Sequence, residues 1–211
     1  EIYPQKQVFH RLKKKLKLGC VLMAAGNATR FGENKLLAEF MGRPLIEYAL
    51  RAIPKDAFKR VAVVSQYGPV LDLAGKYGFI SVENQDPAAG VSHTIRLGLD
   101  ALQEMDAAMF MVADQPCLRP ETVQAQIDFF RTKPNCIVAM GYGKRRGNPV
   151  IFPSYFFPQL RALSGDRGGS HVMSANPDAL LLYQVEEDLQ LRDVDRKQEL
   201  EQLKSELSRP F

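Results

Sequence analysis

The 211-residue chain is 45% hydrophobic and 25% charged, a composition that fits a globular domain with a full core and excludes a largely disordered chain. Its formal charge of +4 is unevenly placed. Lys6, Arg11, Lys13, Lys14, Lys15 and Lys17 face Glu1 alone, so residues 1–17 carry +5 and the rest of the chain −1, which leaves no basic face for nucleic acid beyond that tail. The expected organisation is a basic N-terminal arm over residues 1–17 and a single domain over residues 18–211. No apolar run approaches the roughly 18 residues of a membrane span. Cys20, Cys117 and Cys136 are odd in number and form no Cys-x-x-Cys pair, as expected of free thiols in a reducing, cytoplasmic setting.

In chain order, residues 18–24 form a short apolar run of strand formers, the pattern of a strand buried on both faces. Residues 44–53 read as a helix opened by proline, residues 60–65 as a β-branched strand, 69–77 as a helix and 79–83 as a short strand. Residues 91–103 carry Ile95, Leu99 and Leu102 on one helical face, and 107–113 form a second apolar run. A helix over 120–131 and a strand over 136–140 follow. The stretch 141–149, rich in Gly, Lys and Arg, reads as a loop before the apolar piece Val150-Ile151-Phe152. A late strand over 179–185 and a charged helix over 196–207 complete the chain. Strand and helix alternate in the first half, which predicts an α/β fold: a mostly parallel twisted sheet with helices on both faces. The irregular second half predicts a small insertion that covers a substrate.

The loop after the first strand carries the chemistry. In Ala24-Ala25-Gly26-Asn27-Ala28-Thr29-Arg30-Phe31-Gly32-Glu33-Asn34-Lys35, Gly26 and Gly32 let backbone N–H groups approach an anion, Arg30 offers a bidentate fork and Lys35 a point charge. The spacing excludes the Walker loop, because Lys35 lies three residues after Gly32 and Leu36 follows it. It also excludes the dinucleotide fingerprint, which needs a third glycine. From Ala25 to Lys35 the loop resembles that of nucleoside-triphosphate transferases, Ala-Gly-x-x-x-Arg-x-Gly-x-x-Lys.

A second constellation lies where the 107–113 run breaks at Asp114-Gln115-Pro116. Proline stops the strand and sets Asp114 at the sheet's carboxyl edge, beside the glycine loop. A carboxylate beside a triphosphate suits Mg²⁺, which is held by one or two carboxylates with phosphate oxygens and water. Asp193 and Asp195 share one side of an extended segment. Asp195 is open to two readings, an N-cap for the last helix or a second metal ligand beside Asp114. His10, His93 and His171 show no metal-ligand spacing and read as ordinary polar positions.

Six segments in order resemble the molybdenum cofactor cytidylyltransferases, within the molybdopterin nucleotidyltransferases: the loop from Met23 to Lys35, Gly90-Val91-Ser92-His93-Thr94, Asp114-Gln115-Pro116, Gly147-Asn148-Pro149, Leu163-Ser164-Gly165-Asp166 and Asp193-Val194-Asp195. The chain departs from that family at Gly168-Gly169-Ser170-His171, which lacks the usual arginine, and at Thr94, where serine is usual. The resemblance implies a Rossmann-like nucleotidyltransferase fold with an acceptor-side insertion. It also implies Mg²⁺ as cofactor, and CTP as donor because the loop reads Ala24-Ala25-Gly26. The acceptor would be a phosphorylated pterin, and the receiver of the product a molybdenum hydroxylase or its maturation factor.

In that scheme the acceptor phosphate attacks the α-phosphorus of CTP and pyrophosphate leaves. Arg30 and Lys35 hold the departing phosphates, Asp114 with Asp195 binds the metal, and Ala24, Ala25, Gly26 and Gly32 cradle the nucleotide. Gly90, Ser92 and Thr94, opening a helix, contact base or sugar. An ionised phosphate is already a nucleophile, so no general base is required. Two alternatives remain at this stage, a sugar phosphate or other small phosphorylated alcohol as acceptor, and a nucleotide-binding module without catalysis.

Overall fold

A computed structural model describes residues 16–26, 31 and 34–208. In chain order it contains β1 (Leu18–Met23), the two-residue strands β2 (Glu39–Phe40) and β3 (Arg43–Pro44), α1 (Leu45–Arg51), β4 (Arg60–Ser65), α2 (Gly68–Lys76) and β5 (Ile80–Glu83). There follow α3 (Val91–Leu102), β6 (Ala107–Val112), α4 (Pro120–Thr132), β7 (Ile137–Tyr142), β8 (Arg145–Pro153), α5 (Phe157–Arg161), α6 (Gly169–Ala175), β9 (Leu180–Gln184) and α7 (Lys197–Leu207). Among the described residues no helix is long and apolar enough to cross a membrane.

The seven-stranded sheet has the order β5-β4-β1-β6-β8-β7-β9. β8 pairs antiparallel with both β6 and β7 while the other pairings are parallel, as expected for an α/β fold of this kind. Alternation divides the core between the two faces. Cys20, Leu22, Val63 and Met109 pack toward α1, α2 and α4, while Val21, Ala62, Val64 and Phe110 pack toward α3, α5 and α6. α3 lies very close to β1: a Cβ on Gly98 would stand 2.4 Å from Val21 Cγ1, so only glycine permits this approach. A third cluster joins Phe31, Phe40 and Leu45 to Val194, Leu200 and Leu203, fastening α7 beside the loop after β1.

Two expectations change. The stretch read as a loop over 141–149 is mostly strand: β7 extends to Tyr142 and β8 begins at Arg145, leaving a tight hairpin tip at Gly143 and Lys144. The region after β8 is more regular than expected, since α5 and α6 place Leu160, Val172 and Met173 in the core under α3 and Phe152. Just before β1, Lys17 O accepts Asp106 N at 2.8 Å and Lys17 N donates to Asp106 Oδ2 at 2.8 Å.

The chain passes from β1 outward to β4 and β5, then returns across β1 to β6. This reversal opens a crevice at the carboxyl ends of β1 and β6, the place where open α/β sheets bind ligands.

Candidate active site

A cleft of about 540 Å³ occupies this crevice. One wall is the start of the loop after β1, lined by Ala24, Ala25 and Gly26. The β1–β4 ladder runs one residue past the strand, Ala24 N donating to Val64 O at 2.8 Å. Side chains at and just beyond the end of β4 then take over. Ser65 Oγ donates to Ala24 O at 2.8 Å, Gln66 Nε2 to Ala25 O at 2.9 Å, and Tyr67 O–H to Gly26 O at 3.3 Å. Three successive carbonyls are held against β4.

The opposite wall is the start of α3, where Gly90, Val91 and Thr94 face the cleft with Asp166. Gly90 has φ +83°, and a Cβ there would lie 2.4 Å from the Gly165 carbonyl carbon. Glycine is required twice over at this contact, which Ser92 N reinforces by donating to Gly165 O at 3.0 Å. Ser92 itself does not line the cleft; its hydroxyl is buried without a hydrogen-bond partner.

Charged groups converge between the walls. Lys35 stands on the 3-10 turn Lys35–Leu37, opened by Asn34, whose Oδ1 accepts Leu36 N at 3.1 Å, and anchored by buried Leu36. Its Nζ donates to Asp114 Oδ2 at 2.8 Å, Asp195 Oδ1 at 2.9 Å and Val194 O at 3.1 Å. Asp114 follows β6, and its carbonyl accepts Val194 N at 2.9 Å, which draws the 193–195 segment to the strand end. Gln115 strengthens the join, Nε2 donating to Asp193 Oδ1 at 2.9 Å. The N-cap position of α7 is Arg196, and Glu199 Oε2 accepts the N–H groups of Asp195 and Arg196.

Burial acts to lower the Lys35 pKa, but the charges and hydrogen bonds of Asp114 and then Asp195 prevail and raise it, so the ammonium is firmly charged. Burial, joined by the Asp114 charge, pushes Asp193 up. Two carboxylate oxygens therefore meet at one cation position. Among the described residues no cluster of three or more His, Cys, Asp or Glu forms a metal cage. Two carboxylates are nevertheless the set Mg²⁺ takes when phosphate oxygens and water complete its coordination, so Asp114 and Asp195 fit that ion.

The cleft thus brings together Ala24, Ala25, Gly26, Lys35, Gly90, Thr94, Asp114 and Asp195. Arg30 and Gly32, also expected at the site, lie outside the described residues, as does His10. His93 and His171 do not line the cleft. The cysteines are free, and burial raises the Cys20 thiol and pushes Cys117 up to about 11, away from thiolate chemistry. Sequence reasoning missed Ser65, Gln66, Tyr67 and Asn84, and gave Asp166 no role. The available signal was a set of hydrogen-bonding side chains where the adjacent parallel strands β4 and β5 end.

The chain is similar to the purine catabolism protein PucB of Bacillus subtilis, 22% identical over 200 residues that cover 89% of this chain and 96% of that protein. Its fold is similar to that of Rv0371c from Mycobacterium tuberculosis, solved also in complex with manganese, at a TM-score of 0.75 and 22% identity, covering 90% of this chain and 98% of the other. It is similar as well to CMP:2-keto-3-deoxy-manno-octonic acid synthetase complexed with CTP, at a TM-score of 0.70 and 14% identity, covering 91% and 98%. The family model described as MobA-like NTP transferase domain matches residues 20–180, and the chain belongs to that family of nucleotidyltransferases.

Proposed function

We propose that the protein transfers CMP from CTP to the terminal phosphate of molybdopterin or the molybdenum cofactor, releasing pyrophosphate, with Mg²⁺ as cofactor. The observation that carries this reading is the Lys35 ammonium held between the Asp114 and Asp195 carboxylates, at the floor of a cleft walled by the glycine loop. CTP as donor is supported by Ala24-Ala25-Gly26 and by the CTP bound to a structural neighbour. A divalent cation is supported by the paired carboxylates and by the manganese complex of Rv0371c.

Each residue then has a task. The loop from Ala24 receives the triphosphate, and Lys35 turns from the carboxylates to the β- and γ-phosphates as they become the leaving group. Arg30 shares that task. Asp114 and Asp195 hold Mg²⁺, which supplies neutralisation of phosphate charge when bound. Gly90 and Thr94 meet the nucleoside from the α3 wall, and the Gly165–Asp166 turn borders the acceptor's entry. The product passes to a molybdenum hydroxylase or its maturation factor.

The test is incubation with labelled CTP, GTP or ATP, with and without Mg²⁺, offering molybdopterin and a panel of sugar phosphates as acceptors. Pyrophosphate and a cytidylylated pterin should form only with CTP, Mg²⁺ and the pterin. A cytidylylated sugar would move the assignment to the other acceptor class, and absence of pyrophosphate with every pair would refute it.

A further inference from the structure

A buried hydrogen-bonded relay joins the two walls of the cleft beneath its floor. Ser65 Oγ donates to Ala24 O in the nucleotide loop at 2.8 Å, and Ser65 O accepts Asn84 N at 2.8 Å. Asn84 Nδ2 in turn donates to Thr94 Oγ1 on the α3 wall at 3.2 Å. Ser65 ends β4 and Asn84 is the first residue beyond β5, so neighbouring strands each contribute one polar link at the carboxyl edge. The three residues are 0%, 2% and 6% exposed. Polar groups buried to that degree are costly unless paired, and these are paired with one another and with nearby backbone: Ser65 Oγ also accepts Tyr67 N at 3.1 Å and Asn84 Oδ1 accepts Asp86 N at 3.0 Å.

The pairing has a direction. Because Thr94 Oγ1 accepts from Asn84, its own proton is left to donate, and Thr94 faces the cleft. We infer that Ser65 and Asn84 are positioning residues that set the spacing between the nucleotide loop and the α3 wall, and fix the Thr94 hydroxyl as a donor toward a carbonyl or hydroxyl acceptor on the nucleoside. This rests on the nucleotide-binding reading of the cleft, and it assigns part of the nucleoside discrimination to two residues outside it.

Two measurements separate the relay from that reading. In the ligand-free protein, Asn84→Leu breaks the link to Thr94, and exchange of the Ala24 amide, two links away, should quicken by about tenfold. Ser65→Ala should do the same and Ser65→Thr should restore the parent rate. In turnover, Asn84→Asp keeps the acceptor for Asp86 N but draws the Thr94 proton to itself. The KM for CTP should then rise by about tenfold with kcat within about twofold of the parent. Ser81→Ala, which deletes a hydroxyl-to-carbonyl bond from β5 to Leu71 O on α2, should change neither readout. Parent-like exchange at Ala24 in Asn84→Leu overturns the relay whether or not CTP is the ligand. Loss of kcat without a change in KM in Asn84→Asp overturns the specificity role. A parent that binds none of the nucleotides refutes the functional reading and leaves the exchange result to decide the relay.

Discussion

Replacing Lys35 by Met removes the ammonium while keeping most of the aliphatic stem. In the resting protein the Lys35 side chain is 15% exposed and that of Asp114 21%, so their ion pair is largely shielded and stabilises by about 1–3 kcal/mol. Asp195 is 53% exposed, and solvent reduces its share to at most about 1 kcal/mol. A loss of about 2 kcal/mol corresponds to a fall in Tm of about 4–8 °C for a chain of this size. The pH dependence follows from the raised Lys35 pKa. Burial pulls it down, but Asp114 and Asp195 outweigh that, so the stabilisation is complete below the ordinary value of 10.5 and fades as pH rises through the folded value. The Tm gap between parent and variant should therefore hold from pH 7 to about 10 and close above it. The same substitution frees two carboxylates for a metal, so Mg²⁺ should raise the variant's Tm more than the parent's. Turnover behaves differently: kcat/KM should fall by about 10–150-fold and not recover with Mg²⁺, since under the proposed function the lost contact is to phosphate. Thermal scans across pH and Mg²⁺, paired with pyrophosphate-release kinetics, measure all of this. An unchanged Tm together with unchanged kcat/KM would refute the placement of Lys35 at the centre of the site.

Asp114→Asn should leave the circular dichroism spectrum intact and lower Mg²⁺-dependent turnover by more than about 100-fold; activity near that of the parent would remove Asp114 from the mechanism. Asp193 has a raised pKa, from burial and then the Asp114 charge. Its ionisation therefore weakens the fold as pH climbs from 3.8 through the folded value, and Asp193→Asn should raise Tm at pH 7 but not at pH 3. Gln126 is buried on α4 and donates to Val138 O at 3.2 Å and Pro149 O at 2.8 Å. Gln126→Leu should cost about 1–3 kcal/mol in urea unfolding with the KM for CTP unaltered, because it ties α4 to β7 and β8 away from the cleft.

The parts of this fold that were readable from sequence were those where local pattern and burial agree. β4 and β6 are continuous apolar runs because they are covered on both faces, and α4 announces itself with Pro120 in its first turn. β8 was hidden because Arg145, Arg146, Gly147, Asn148 and Pro149 carry loop chemistry. Those residues are strand only because β7 lies alongside, with Gly141 opposite Arg146 and Tyr142 opposite Arg145. At the site, Lys35, Asp114 and Asp195 were found separately because each has chemistry unusual for an element's end, although 79 and 160 positions separate Lys35 from its two partners. Ser65 and Asn84 carried no such mark. Their roles depend on two registers, β1–β4, which sets Ser65 against Ala24 at an offset of 41 residues, and β4–β5, which brings Asn84 to Ser65, and parallel pairing across a helix leaves no local trace.

The cleft's charge bears on how metal and nucleotide bind together. Among the described residues that line it, Asp114, Asp166 and Asp195 stand against Lys35 alone, so this part of the cleft is net negative, although the guest under the proposed function is a polyanion. Lys35 cannot serve the phosphates fully while it neutralises Asp114 and Asp195, and releasing it would leave those carboxylates facing a triphosphate across a short gap. Under the proposed function, Asp114 and Asp195 would hold a divalent cation, which would supply the positive charge they now take from Lys35 and leave the ammonium for the phosphates. Under the proposed function, CTP and Mg²⁺ must then bind with strong positive coupling, and linkage requires each to strengthen the other equally, by roughly 1–3 kcal/mol or about 5–150-fold in Kd. Calorimetric titration of CTP with and without Mg²⁺, and of Mg²⁺ with and without CTP, measures both sides of that cycle. In Lys35→Met the coupling should shrink, because the metal no longer has an ammonium to release. Equal CTP affinity with and without Mg²⁺ in the parent would mean that the carboxylates and the phosphates never share a cation, and the assignment of Asp114 and Asp195 as its holders would fall.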